Sequence, residues 1–540
     1  MSKLSWWKRT AMAAGVMIAA VAAVSVQPRQ GRSAEPQAPA PGPAAEKPKY
    51  RYFGSKSCDQ CHSVSKERPT NTPEAIGYIY LDEYTRWSTE DKHRLAFARL
   101  SSERGRRMAG LLKADVTKRE TGCLGCHSAG TAETSSRRQG NLFDPNEGVS
   151  CENCHGPYEG WALDHTQPDF RGWDAKKRAE KGMIDVRVPE IQAAQCLSCH
   201  IGDAAEGKVV THEMYAAGHP PLPSIEVATF ADFIPRHWML VDEKAADKVK
   251  EAEGYRKGEL ERTKLAIVGA SVALNTSMNL IAQEYTTPAK DVPGQAWPDY
   301  ARYDCWSCHH DLKRESWRQA RGYEMPPGRV PVGEWPLPLV RLGIARIGME
   351  DADGAKALNA DLERLQNELH EQASNRPFGR EQALIKAASA LASWSVVVTK
   401  KLVGLSYDRI IAFDLLRALV EEARKTKPDY DAARHVAWMI KLLVEDLKDD
   451  GFAREEKEEK QKDGEKAKKM ASIRAIMAKD RPAIESILSR LDDKLKLELP
   501  AGRKYEIEDF LGPALEKIGD YDPDQFQADL DRLAEILNAK

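Results

Sequence analysis

The chain has 540 residues with 80 basic and 82 acidic side chains, a formal charge of −2 and 42% hydrophobic residues. That length provides for two to four domains and rules out a disulfide-stapled mini-protein, while the balanced charge excludes a nucleic-acid binder. Aromatic residues at 7% and a mean hydropathy of −0.56 exclude a polytopic membrane protein, because each span needs about 20 mostly apolar residues. Only the N-terminus approaches that pattern. It runs Lys3, Trp6-Trp7-Lys8-Arg9, an apolar stretch from Ala11 to Val26, and then Gln27-Pro28-Arg29. A basic patch followed by a short apolar run is a Sec-type secretory signal, here assigned to residues 1–34. Ala23-Val24-Ser25 offers small residues for cleavage; left uncleaved, the segment would tether the chain peripherally to the membrane. The rest is therefore expected in the periplasm. Residues 35–49 are rich in Pro and Ala and read as an extended linker.

Ten cysteines in an exported protein invite disulfides, so their spacing decides. They fall as Cys58-Asp-Gln-Cys61-His62, Cys123-Leu-Gly-Cys126-His127, Cys151-Glu-Asn-Cys154-His155, Cys196-Leu-Ser-Cys199-His200 and Cys305-Trp-Ser-Cys308-His309, leaving none over. Chance would supply on the order of 0.01 such motifs in a chain of this composition. The spacing has a chemical reason: two thiols form thioethers to the haem vinyl groups, and the adjacent histidine reaches the iron as proximal ligand. Structural zinc, a redox-active thiol pair or disulfides would explain Cys-x-x-Cys, but not a histidine after every pair. Five covalent haems c in residues 50–320 follow, with His62, His127, His155, His200 and His309 as proximal ligands. No Cys-x-x-Cys-Lys variant occurs.

The sixth ligand separates a haem that only passes electrons from one that also binds a substrate. Outside the motifs stand His93, His165, His212, His219, His237, His310, His370 and His435. Thr211-His212-Glu-Met-Tyr-Ala-Ala-Gly-His219-Pro220 brings two of them into one short segment and favours both as distal ligands. His237 stands alone and is read equally as a surface or packing histidine. His310 follows His309 directly; in the small tetrahaem cytochromes of sulfate reducers a histidine so placed ligates a neighbouring haem, which implies a bridging role here. Met108, Met214 and Met239 are read as packing residues.

Gly148-Val-Ser-Cys151-Glu-Asn-Cys154-His155-Gly-Pro157, with Asp164-His165 downstream, resembles the tetrahaem cytochrome c of ammonia-oxidising bacteria, the electron acceptor of hydroxylamine oxidoreductase. The similarity runs over about residues 55–220 and includes the order of the Cys123 and Cys196 motifs. It implies His93 as distal ligand to the haem on Cys151 and Cys154, and His165 to the haem on Cys196 and Cys199. It further implies His212 or His219 for the haem on Cys58 and Cys61, and an open iron face at His127. The fifth motif and the C-terminal region have no counterpart in that family, so its partners do not carry over.

Farther along, 265–281 reads as a buried helix, and Met325-Pro-Pro-Gly-Arg-Val-Pro begins a breaker-rich linker assigned to 321–339. Residues 340–540 lack cysteine and turn to helical periodicity: Ala432, Val436, Met439, Ile440 and Leu443 form one face, and Phe526, Leu530, Leu533 and Leu537 another, behind Asp522-Pro523 as cap and first turn. His370 and His435 are read as structural. The charged segment 448–469, densest at Glu455 to Lys469, is a solvated linker or exposed helix. The expected fold is mainly α, a multihaem cytochrome c domain with little sheet followed by an α-helical bundle. The expected function is electron transfer between exported redox proteins acting as donor and acceptor. The alternative is an oxidoreductase acting on a small nitrogen or sulfur compound at the open haem of His127.

Overall fold

The structure is a computed structural model and describes residues 50–63, 79–116, 122–128, 142–144, 146–240, 243, 256–283, 297–309, 326, 328–426, 428–448, 460, 464–495 and 521–538. The signal segment, the 35–49 linker, His310 and most of the charged run therefore lie outside the described residues.

The described fold is helical, with no extended sheet among the described residues; its β pairing includes two isolated bridges, Asp203 with Lys208 and Tyr303 with Val332. In the first part the helices are short, and four of them carry a motif: α1 (Lys56–His62), α2 (Cys123–His127), α3 (Cys151–His155) and α4 (Pro189–His200). One helical turn sets cysteines i and i+3 on a single face, with the histidine one step on. The fifth motif begins on a 3-10 turn, Cys305–Ser307, instead.

Longer helices follow: α5 (Glu261–Gln283), α6 (Leu337–Gly348), α7 (Ala352–Ser374), α8 (Glu381–Gly404), α9 (Arg409–Thr426), α10 (Tyr430–Asp446), α11 (Gly464–Lys479), α12 (Arg481–Leu495) and α13 (Pro523–Asn538). The expected stripes are buried as the periodicity requires, including Phe526, Leu530, Leu533 and Leu537 on α13, whose cap Asp522 accepts the N–H of Asp524 and Gln525. Within the charged run a helix begins at Gly464, and Ala467 is buried on it.

The core runs without a break from Ala193 and Leu197 on α4, through α5, to Leu537 on α13. Residues counted with the cytochrome segment by sequence thus share one interior with the C-terminal helices. Helix α5 is the hinge of that sharing. Its Ser271 hydroxyl donates to the Ser395 carbonyl at 3.0 Å and its Asn275 amide to the Ala392 carbonyl at 2.8 Å. The small residues Gly269, Ala270 and Ser271 let neighbouring helices approach closely. Helices α5 and α8 are each long and apolar enough to cross a membrane by length and composition, yet here they pack on one another and bury the stripe.

The structural reading of His435 acquires a mechanism. Its Nε2 donates to the Ile225 carbonyl at 3.0 Å, Trp335 packs edge-on at 4.8 Å, and its buried Nδ1 has no partner. Burial pushes the ring down to about 4, since a second proton would place an unpaired N–H in the core. The unfolded chain, titrating near 6.5, therefore takes up this proton first as pH falls. Stability from this site is complete above about pH 6.5 and declines toward pH 4, by roughly 3 kcal/mol. Denaturant unfolding at several pH values should show that slope, and His435→Phe should flatten it whatever its effect at neutral pH.

Candidate multihaem site

Four of the five motifs are tied together by the two residues between the cysteines of the third, Glu152 and Asn153. Glu152, inside the third motif, accepts backbone N–H groups from Phe53 at 3.0 Å, Gly54 at 2.6 Å and Tyr158 at 2.6 Å, and so holds the segment leading into α1. Burial pushes its carboxyl up to about 7 against those three donors. Asn153 caps α3 through Ser150, donates to the Ser128 carbonyl just after the second motif at 3.1 Å, and its own carbonyl receives Gln195 of α4 at 2.6 Å. Gly156 turns with φ of 81°, and a side chain there would meet the Gly182 carbonyl. Neither Glu152 nor Asn153 stood out in the sequence, where both occupy the variable places of the motif.

None of the ten cysteines joins a disulfide, and no group of three or more His, Cys, Asp or Glu among the described residues converges on a metal. The cysteines instead crowd between motifs. Cys58 and Cys151 lie close enough to raise the Cys151 thiol pKa, Cys126 and Cys199 perturb one another likewise, and Cys154 lies within the field of Cys196 and Cys199.

The histidines meet in pairs. Ring centres lie 6.4 Å apart for His62 and His165, 6.3 Å for His93 and His200, 6.4 Å for His127 and His219, and 6.1 Å for His212 and His309. Two imidazoles on opposite faces of one metal, each with its nitrogen about 2 Å away and its ring centre about 1.1 Å beyond, would stand about 6.2 Å apart. All four spacings fit an axial pair. His155 has no histidine ring opposite it at such a distance among the described residues; burial acts on it first and the charge of His237 next.

Tautomers agree with this fit. Nδ1 is engaged in His62 by Glu83 (2.8 Å), in His93 by Asp91 (3.0 Å), in His127 by the Ala96 carbonyl (2.8 Å), and in His165 by the Ala162 carbonyl (2.7 Å). The same holds for His219 with the Pro220 carbonyl (2.7 Å) and His237 with the Pro235 carbonyl (3.1 Å). Such partners orient the ring and leave Nε2 for a metal. His370 and His435 do the reverse and spend Nε2, on Glu334 at 2.6 Å and on Ile225. Burial pushes His155, His200 and His219 down to about 4, so these rings are neutral at pH 7, as a ligand must be.

Residues 57–156, which hold the first three motifs, match the family model of cytochrome c554 and c-prime. The chain is a c-type cytochrome. No curated protein and no solved structure matches it. The match covers too little of the cytochrome to carry the ammonia-oxidiser pairing across, and the geometry departs from that pairing. His93 faces His200 rather than His155, because its carbonyl is held by the Val149 N–H at 3.0 Å and Asp91 fixes its ring from the other side. His165 faces His62 and not the haem on Cys196 and Cys199. His219 stands opposite His127, where an open face was expected, and His212 stands opposite His309. His237, which the sequence left undecided, shares with His219 the one usable signal: a proline carbonyl close in sequence that fixes Nδ1.

Proposed function

We propose that the cytochrome is an exported pentahaem electron-transfer protein in which every iron carries two histidines. The pairs would be His62 with His165, His127 with His219, His155 with His237, His200 with His93, and His309 with His212. The observation that carries this reading is the set of four histidine pairs at 6.1–6.4 Å, one for each of four motifs. Bound haem supplies one-electron chemistry at low potential, the range that bis-histidine ligation favours. The chain's own residues attach it, fix each imidazole tautomer, and bring the motifs side by side.

Crowding of the cysteines supports a relay. Cys58 meets Cys151, Cys154 neighbours Cys196 and Cys199, and Cys199 meets Cys126, which gives the order first, third, fourth, second motif. The segment from His212 to His219 reaches from the fifth motif to the second, and Tyr215 between them feels both Cys305 and, at 6.0 Å, the ring of His219. Donor and acceptor would be other exported redox proteins, in keeping with the signal-like N-terminus.

A pyridine haemochrome count followed by a low-temperature electron paramagnetic resonance spectrum of the oxidised protein tests this reading. Five haems and only low-spin signals are expected. A count other than five, or a stoichiometric high-spin haem that shifts with nitrite or hydroxylamine, would overturn it and favour an oxidoreductase.

A further inference from the structure

Charge is distributed unevenly around the relay. Residues 92–113 carry Lys92, Arg94, Arg99, Arg104, Arg106, Arg107 and Lys113 against Glu103 alone, a local charge of +6 in a chain whose total is −2. Arg99, Arg106 and Lys113 are exposed, and Arg99, Arg104, Arg106 and Lys113 meet no carboxylate among the described residues. Arg106 is satisfied only by the neutral Ser101 carbonyl at 2.6 Å. Burial and the like charge of Arg99 both work against the Arg104 guanidinium. A surface that holds these four cations together with no carboxylate against them among the described residues strongly attracts anions.

The same segment touches one histidine pair at both ends. The Ala96 carbonyl receives Nδ1 of His127 at 2.8 Å, and the charge of Arg104 acts on His219. On the helix Glu103–Leu112, Met108 and Gly105 face inward, Gly105 against the Leu100 carbonyl. Leu111 is 58% exposed, and Gly110 beside it looks into open space. An exposed apolar spot inside a basic rim is the composition of a small, quickly formed and quickly released interface.

We propose that the surface built by residues 92–113 beside His127 and His219 is the docking face for an acidic one-electron donor protein. The inference rests on the electron-transfer reading above. In the step itself one electron leaves the donor's reduced centre and converts one ferric haem, on Cys123 and Cys126, to ferrous; no bond forms or breaks. Long-range attraction would steer the encounter, and Leu111 would give the short-range contact.

The test is stopped-flow reduction of the full-length haem-loaded protein by reduced flavodoxin, an acidic probe, at low and high salt. Arg99→Glu/Arg106→Glu should lower the second-order rate constant at least tenfold at low salt, and the difference should vanish at high salt. Lys356→Glu/Lys386→Glu makes the same change of charge on α7 and α8 and should leave the rate within about twofold. Equal loss in both variants would show an effect of net charge and overturn the docking face, as would an unchanged rate in the first. A protein that excess dithionite fails to reduce at equilibrium would instead sink the electron-transfer reading itself. Binding to anionic lipid vesicles that is lost in the first variant, with its flavodoxin rate unchanged, would reassign the face to a membrane.

Discussion

Replacing His219 with alanine is expected to turn one haem in five from low-spin to high-spin and to create a site for cyanide or nitrite. The sequence resemblance places an open iron at His127. In the structure the His219 ring lies 6.4 Å from His127, with each Nδ1 tied to a backbone carbonyl. If that arrangement closes the iron, removing the imidazole frees one coordination position, and the change is all-or-none for that haem. His219 is well buried, so a second variant guards against misfolding: His219→Met should keep the haem low-spin and raise its potential, as a thioether ligand does. The fifth haem supplies the matching contrast. His212→Ala should give the same high-spin change, because His212 stands 6.1 Å from His309, whereas His310→Ala should give none. The opposite result in that pair would return the fifth haem to His310. A high-spin haem already present in the unaltered protein would remove His219 as a ligand.

Lys208→Met is expected to lower the reduction potentials of the haems around it, most of all those of the second and fourth motifs. Lys208 is 7% exposed, and its ammonium donates to the Ser198 hydroxyl inside the fourth motif at 3.2 Å. Its stem lies against Gly125 of the second, and its charge acts on Cys126, Cys154 and Cys199. The antiparallel bridge with Asp203 holds it there, with both backbone hydrogen bonds at 2.8 Å. A cation favours the added electron. At about 10 Å and an effective dielectric constant near 20 it contributes about 1.7 kcal/mol, roughly 70 mV for a one-electron couple. Methionine preserves the length of the stem and removes the charge. A spectroelectrochemical titration resolves the shift; potentials unchanged within about 20 mV would show that solvent or the carboxylates of Asp203 and Glu206 already cancel the ammonium.

Much of this cytochrome is written locally. Each Cys-x-x-Cys-His needs only about one helical turn to present its cysteines, so all five motifs, with the histidine that closes each, are legible without any fold. Helices α10 and α13 follow from the same kind of argument, since Asp429 and Asp522 cap them and a regular stripe of Leu, Val, Ile and Phe marks the buried side. The structural role of His370 and His435 is also legible, because no motif lies near them in the chain.

The pairing of the histidine rings is a different kind of fact. His93 and His200 are separated by 107 residues, His62 and His165 by 103, and nothing in the spacing of either pair says which iron they would share. What selects the partner is where Glu152 and Asn153 clamp the motifs together, how Asp91 or a proline carbonyl turns a ring, and which Nε2 is left over. The pairing borrowed from a similar family sets His93 and His165 against other motifs than those whose histidines they face here, and it leaves His237 undecided. The domain boundary carries the same lesson: α5 is apolar on nearly every side, which requires burial but names no partner, and only its contacts with α4 and α8 join the haem-bearing part and the C-terminal helices in one core. Sequence by itself determined what each residue could bind, since covalent attachment and helix periodicity act over a few residues. Tertiary structure alone decided which groups face each other, because that depends on contacts between segments a hundred residues apart.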